Sequence, residues 1–306
     1  MKIAIASSSP VGIPVLASLL SSNHEVLFAI SNPNKATGRG QSVVANEFAQ
    51  RASELGLAVH SPSDSSDITK LLQEQPVDLV VTVAYGQLIK SEALSIPPFG
   101  WINIHFSRLP QYRGAAPVQY AILNQESETG VSIFQLDTGM DTGPIYEMWS
   151  TPILPTDTTE TLLEKMSEES AARIPQVLDS INDGKEPKIQ SEIGISPAPK
   201  LTKLMGKLSV KETRNAVVAK VRALGSNPGT FFTFRGERLG VTSVEISYAD
   251  NEGLTPGALV ATKHELLLNL QDGLIRLITV IPQGKKSMSG ADFARGVRIS
   301  AGESCE

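Results

Sequence analysis

Between Trp101 and Gly143 the chain carries an amide, an imidazole and a carboxylate in a setting suited to acyl chemistry. The stretch opens with Trp101-Ile102-Asn103-Ile104-His105-Phe106-Ser107-Arg108-Leu109-Pro110 and passes through Gln111-Tyr112-Arg113-Gly114-Ala115-Ala116-Pro117. It closes on Asp137-Thr138-Gly139-Met140-Asp141-Thr142-Gly143. Asn103 and His105 lie two apart, so on a strand both face the same side of the sheet. An Asn amide donates to an oxygen that gains charge, and a His beside a carboxylate moves a proton. Each residue also has a plainer reading: a core histidine held by one hydrogen bond, an asparagine capping a turn, an aspartate making an Asx-turn.

The elements around this stretch favour the joint reading. Lys2–Ala6 reads as a first strand and Ile13–Leu20 as a helix, followed by strand-like runs at Val26–Ile30 and Leu57–His60. Helix-compatible sequence covers Val43–Leu55 and Ile68–Glu74, and Val77–Val83 is an apolar strand of the kind buried in a parallel sheet. Strands and helices alternating at this length predict an α/β, Rossmann-like doubly wound sheet. The first strand-to-helix turn carries only Gly12, so the G-x-G-x-x-G dinucleotide fingerprint is missing. In such sheets ligands lie at the carboxyl ends of the strands, where Asn103 and His105 fall. Pro110, Gly114 and Pro117 then shape a loop suited to close backbone approach, and the glycine-flanked Asp141 turn can return to the same mouth.

Further along, Gly130–Leu136 and Ile145–Thr151 alternate as antiparallel strands, and Thr159–Asn182 has the spacing of a long helix. We read residues 1–184 as the catalytic domain and the proline-containing, aperiodic residues 185–208 as a linker. Residues 209–306 form a second domain: a helix over Ser209–Leu224, then strands at Thr230–Phe234, Arg238–Ile246, Ala258–Ala261, Glu265–Asn269 and Leu274–Ile281. About five short strands behind one helix predict a small OB-like β-barrel.

Composition narrows the function classes. The 306 residues are 41% hydrophobic and 19% charged, ordinary for a soluble globular protein. No apolar run reaches the roughly 20 residues that span a bilayer, and the N-terminus is too short in apolar residues for a signal core. The single cysteine, Cys305, rules out a disulfide framework, and the four histidines show no metal-ligand spacing. A cytoplasmic, metal-free monomer is the expectation. The net charge of −5 is uneven: residues 1–199 hold 12 Lys+Arg against 22 Asp+Glu, and residues 200–306 hold 15 against 10. The C-terminal third, residues 200–306, is thus +5, which suits a polyanionic partner as well as a merely solvated face.

The motifs also carry a family resemblance over nearly the whole chain. Asn103-Ile104-His105, Leu109-Pro110, Arg113-Gly114-Ala115-Ala116-Pro117, Thr129-Gly130-Val131 and Leu136 through Asp141-Thr142-Gly143 resemble, in order and spacing, the signature of the 10-formyltetrahydrofolate-dependent formyltransferases. Within that family the chain is most similar to members that formylate methionine on initiator tRNA. The similarity includes Val83-Ala84-Tyr85-Gly86-Gln87-Leu88-Ile89, Gly38-Arg39-Gly40 and Gly284-Lys285-Lys286-Ser287-Met288-Ser289 with Phe293 and Gly296. The resemblance implies that the α-amine of the esterified methionine attacks the formyl carbon on N10 of the folate. Asn103 and a protonated His105 would then donate to the oxyanion, while Asp141 raises the His105 pKa and relays the amine proton. It implies a folate site along Ala84, Tyr85, Gly86, Gln87, Leu88 and Ile89 and along Ser107, Arg108, Leu109 and Pro110. It also implies phosphate contacts from Lys35, Arg39, Arg113, Lys203, Lys207, Lys285 and Lys286, with Lys200, Arg235 and Arg238 as further candidates.

Arg108 and Phe106 depart from the family pattern, which usually has leucine and a small residue there. Rival expectations are formyl transfer to a nucleotide-sugar amine or to glycinamide ribonucleotide, hydrolysis of the formylfolate, and an RNA-binding module on an inert α/β scaffold. Ser7-Ser8-Ser9-Pro10 is not the glycine-rich phosphate turn that the glycinamide ribonucleotide enzymes carry, and a hydrolase has no need of a basic second domain.

Overall fold

The computed structural model describes residues 1–306 apart from Asn34 and residues 38–41, with no side chains described from 34 to 43. The chain separates into two compact units. The first comprises Met1–Pro117, Glu128–Pro152 and Glu160–Pro199; the second comprises Val118–Ser127, Ile153–Thr159 and Lys200–Glu306.

The first unit is built on β1 (Lys2–Ser7), α1 (Ile13–Leu20), β2 (Glu25–Ile30), the short strands β3 (Lys35–Thr37) and β4 (Ser42–Val44), α2 (Glu47–Glu54), β5 (Ala58–His60), α3 (Ser65–Glu74), β6 (Leu79–Val83), α4 (Ser91–Leu94) and β7 (Trp101–His105). After α5 (Pro117–Leu123), which from Val118 on belongs to the second unit, come β8 (Glu128–Gln135), β9 (Ile145–Pro152) and α6 (Thr159–Asn182) of the first. Seven strands form one sheet in the order β5-β2-β1-β6-β7-β8-β9. The first five are parallel, and β8 and β9 add antiparallel pairs at one side. β6 and, past the exposed Lys2, β1 are buried, which explains why their sequences read as largely apolar runs, since both faces of a central parallel strand are covered. Gly12, after β1, is a steric requirement: a Cβ there would sit 2.4 Å from the Ser7 hydroxyl oxygen. Helices α2 and α3 begin where Asn46 and Asp64 accept hydrogen bonds from the first-turn amides, as N-caps do.

The sequence reading placed β1, β2, β6 and α6 well, but it ran a helix from Val43 where β4 occupies Ser42–Val44 and α2 starts only at Glu47, and it assigned no strand at β3. Residues 185–199, expected in a linker, belong instead to the first unit. Lys188 pairs with Ile145 beside β9, and Arg113 exchanges backbone hydrogen bonds with Ser196 and Ala198. The reason is that extended, proline-spaced chain satisfies its backbone groups by pairing with whatever edge it crosses, so lack of periodicity does not make it free.

The second unit holds α7 (Arg214–Leu224), β10 (Thr230–Phe234), β11 (Glu237–Ile246), β12 (Leu259–Ala261), β13 (Leu266–Leu270), β14 (Gly273–Pro282), β15 (Met288–Ser289) and α8 (Gly290–Val297). Its antiparallel sheet runs β10-β11-β14-β13-β12, with β15 on β14. The C-terminal residues bridge the two edges. Cys305 pairs with Phe234 at the end of β10, and Ser304 with Ala258 just before β12. That closure removes both exposed edges and makes the sheet a small barrel. Its core takes Val217 and Val221 from α7, Phe293 and Ala294 from α8, and Phe232, Val241, Leu268 and Ile275 from the strands.

Candidate functional site

At the carboxyl end of β7, Asn103 and His105 lie on the same sheet face, as their spacing predicts. Asn103 stands opposite Thr82 of β6 and accepts a hydrogen bond from the Thr82 hydroxyl at 2.8 Å. With its carbonyl oxygen held this way, the Asn103 amide nitrogen has no protein partner among the described residues and remains a donor. Thr82 is a site residue that sequence reasoning passed over. Its signal was a lone hydroxyl inside the otherwise apolar run Leu79–Val83.

His105 is nearly fully buried, at 5% exposure, with its ring edge-on to Phe134. Its Nε2 lies 2.9 Å from the Tyr112 carbonyl oxygen, and a carbonyl only accepts. Nε2 therefore carries a hydrogen, and in the neutral imidazole Nδ1 presents a lone pair. Facing that atom is Asp141 Oδ2 at 3.8 Å, beyond hydrogen-bond range but close enough to act through charge. Burial pushes the His105 pKa down from its ordinary value, and this outweighs the Asp141 carboxylate and the Tyr112 carbonyl, which both push it up. The expectation of a raised His105 pKa is thus corrected. Asp141 acts in the predicted direction, but burial of the ring in a nearly closed site is the larger effect.

Asp141 is held from several directions. Its Oδ2 accepts from the Gly114 backbone amide at 2.7 Å, and its own backbone is left-handed at φ 54°. Gly114 itself must be glycine: at φ +123° a Cβ would meet the Ala198 carbonyl oxygen at 2.6 Å. The buried Gln190 donates to the carbonyls of Asp141 (2.9 Å) and Gly143 (2.7 Å) and accepts from Arg113 Nε (3.2 Å) and Nη2 (2.6 Å). Gln190 and Ala198 lie in the segment read as linker, so nothing in the sequence pointed to them.

The loop after β6 divides by face. Tyr85 and Ile89 are buried in the core packed around Phe28 and Trp101, whereas Ala84, Gly86 and Leu88 are exposed, Leu88 by 75%. The turn is pinned by Asn32, whose side chain donates to the Tyr85 carbonyl at 2.9 Å and accepts from Gln87 at 2.8 Å. Ala84 and Gly86 both take positive φ. The other stretch, Ser107 to Pro110, is largely core. Ser107 and Leu109 are buried, and Ser132 Oγ links them by donating to the Ser107 carbonyl and accepting from the Leu109 amide. Phe106 is also buried. Arg108 turns its guanidinium onto Glu128 at 2.7 Å, and its stem crosses Gly130, where a Cβ would meet Arg108 Cγ at 2.5 Å.

Of the basic residues singled out, Arg39 and the Lys35 side chain lie outside the described residues. Arg113 joins the site through Gln190. In the second unit Lys203, Lys207, Lys285 and Lys286 are exposed and form no salt bridge among the described residues. Lys200 is exposed as well. By contrast, Arg235 is paired bidentately with Glu303, and Arg238 stacks 4.2 Å over Phe231.

A Rossmann-like sheet that has Asp141 beside His105, followed in the chain by an antiparallel barrel unit, defines a two-unit α/β protein of the transferase type. The chain belongs to the formyl transferase family. Residues 1–178 match the formyl transferase model, and residues 200–298 match that of the formyl transferase C-terminal domain. It is 40% identical to the methionyl-tRNA formyltransferase of Thermobifida fusca, over 99% of this chain and 98% of that one. It is 39% identical to that of Salinispora arenicola, over 99% of each chain. Among solved structures, HypX from Aquifex aeolicus in complex with tetrahydrofolic acid shares the fold at a TM-score of 0.70 and 16% identity, covering 96% of this chain and 47% of that one. The protein is therefore a formyltransferase. No helix among the described residues is long and apolar enough to cross a membrane.

Proposed function

We propose that the protein transfers the formyl group of 10-formyltetrahydrofolate to the α-amine of methionine esterified to initiator tRNA. The observation that carries this reading is the convergence of Asn103, His105 and Asp141 on one strand end, in a chain similar along its whole length to methionyl-tRNA formyltransferases. The folate, when bound, supplies a formyl carbon activated on N10. The loop after β6 suits such a group: an exposed Leu88 offers an apolar wall, and the exposed Ala84 and Gly86 let a flat heterocycle approach the chain closely. Tyr85 and Ile89 act from below, as the packed support of that wall.

The chemistry divides among the three side chains. Asn103 Nδ2 donates to the formyl oxygen as negative charge develops on it, and its geometry is set in advance by Thr82. His105 enters the reaction neutral. Its Nε2–H is committed to Tyr112, so Nδ1 takes the proton that leaves the attacking amine, directly or through one water. Once protonated, the ring becomes the charged donor for the oxyanion, and as the intermediate collapses and the carbon–N10 bond breaks it gives that proton, directly or through the same water, to N10 of the departing tetrahydrofolate. Asp141, 3.8 Å away, stabilises that imidazolium and favours its formation. No residue needs to move, because Gly114, Tyr112 and Gln190 already fix the groups.

The first unit, which includes residues 185–199, then acts as the catalytic unit, and the second unit, from Lys200 onward, binds tRNA phosphates through exposed lysines such as Lys203, Lys207, Lys285 and Lys286. Arg113 serves the substrate beside the site, and Lys35 and Arg39 belong to the same reading. The working enzyme is a cytoplasmic monomer that takes no metal. The test is to incubate it with 10-formyltetrahydrofolate and charged initiator tRNA and look for the formylmethionyl ester; no product with active substrates overturns the proposal.

A further inference from the structure

We propose that Gln190 is a positioning residue that locks the Asp141 turn and Arg113 into one unit, so that a single side chain sets both the carboxylate and the cation of the site. This rests on the formyl-transfer reading above. Gln190 is buried, and its amide is used in full: the oxygen accepts twice from Arg113 and the nitrogen donates to the carbonyls of Asp141 and Gly143. A primary amide has two donor hydrogens and two acceptor lone pairs, so no capacity is left over. No other residue type of this size offers both.

The two sides of this arrangement do different things. Toward Asp141, the bonds grip the backbone on either side of Thr142, and Asp141 is a non-glycine residue held at φ 54°. Such a backbone persists only when its surroundings over-determine it. Releasing the carbonyls lets the turn relax and carries Oδ2 away from Gly114 and His105. Toward Arg113, the same amide fixes a guanidinium that has no carboxylate partner among the described residues and whose Nη1 is unbonded to protein there. That nitrogen remains for an anionic group of the substrate, such as a phosphate near the aminoacylated end of a tRNA. An anion engaging Arg113 thus docks against the element that holds the catalytic carboxylate. The strap that delivers Gln190 is itself registered on the same loop, since the Arg113 amide donates to Ser196 and the Ala198 amide to Arg113.

Two substitutions separate the sides. Gln190→Glu keeps acceptors for Arg113 but removes both donors to the Asp141 and Gly143 carbonyls. Gln190→Met keeps the volume and removes everything. With the full-length enzyme, 10-formyltetrahydrofolate and charged initiator tRNA, Gln190→Glu is expected to lower kcat at least about tenfold, as small misplacements of catalytic groups do, with KM for the tRNA changed less than about threefold. Gln190→Met is expected to lower kcat similarly and also to raise that KM. Thermal melting verifies that each variant is folded, and Gln190→Asn, too short to reach both sides, replaces either one that is not. A kcat within about threefold of the parent in the folded variants, or a KM that rises equally in Glu and Met, overturns the inference. If the parent enzyme forms no formylmethionyl ester, it is the functional reading that fails instead.

Discussion

The site at the end of β7 and the exposed lysines of the second unit are built on opposite principles. In the site, Asn103, His105 and Asp141 are each tied to named neighbours at 2.7–2.9 Å through Thr82, Tyr112 and Gly114. In the second unit, Lys203, Lys207, Lys285 and Lys286 stand in solvent without a salt bridge among the described residues. The first arrangement is preorganised for charge that appears during a reaction; the second is a set of screened point charges that adds attraction without fixing geometry. One loses function with a single atom, the other in small steps.

That contrast sets a ranking of expected effects. Substituting Asn103→Ala or His105→Ala should lower the single-turnover formyl-transfer rate by about a hundredfold or more, since each removes a group acting directly on the reacting atoms. Losses under about tenfold in both would place the chemistry elsewhere. Asp141→Asn should act mainly by weakening the imidazolium, and its rate loss should be accompanied by a further fall of the His105 pKa, readable by titration of the ring resonances.

Thr82→Val tests the support beneath Asn103. It keeps the shape and removes the hydrogen bond that orients the amide, so a rate loss of about tenfold is expected with KM for both substrates nearly unchanged. An unchanged kcat would show that Asn103 orients itself without Thr82.

The pH dependence sharpens the His105 assignment. Because burial holds its folded pKa below the ordinary value of 6.5, the neutral, proton-accepting form persists as pH falls past that value. The acid limb of kcat/KM for the free enzyme should therefore lie below pH 6.5. The sign for stability is the matching one: below 6.5 the unfolded chain protonates this histidine before the native one does, so acidification removes stability until the depressed folded pKa is passed. His105→Ala should flatten that part of the stability curve.

The smallest effects belong to the surface. Lys285→Ala or Lys286→Ala should each weaken tRNA binding modestly and reduce the salt dependence of log Kd by about one unit per lost phosphate contact, with kcat intact. Arg108→Leu breaks an ion pair with Glu128 that is exposed on both sides, at 39% and 54%, and should cost less than about 1 kcal/mol by thermal melting. A large loss of activity there would mean that Arg108 leaves Glu128 to meet the folate.

The sequence alone determined the central pieces of this protein. Apolar runs with both faces covered announced β1 and β6, a two-residue spacing put Asn103 and His105 on one face, and the +5 balance of residues 200–306 marked the part suited to a polyanion. Those signals are local, and short-range periodicity and charge carry them without reference to the rest of the chain. Tertiary structure alone decided the rest. It brought Gln190 and Ala198 from an aperiodic segment onto the Arg113 loop, set Thr82 under Asn103, and closed the barrel with residues 304–305. It also reversed the expected direction of the His105 pKa, because burial is a property of everything packed around a ring, and no spacing within one strand encodes it.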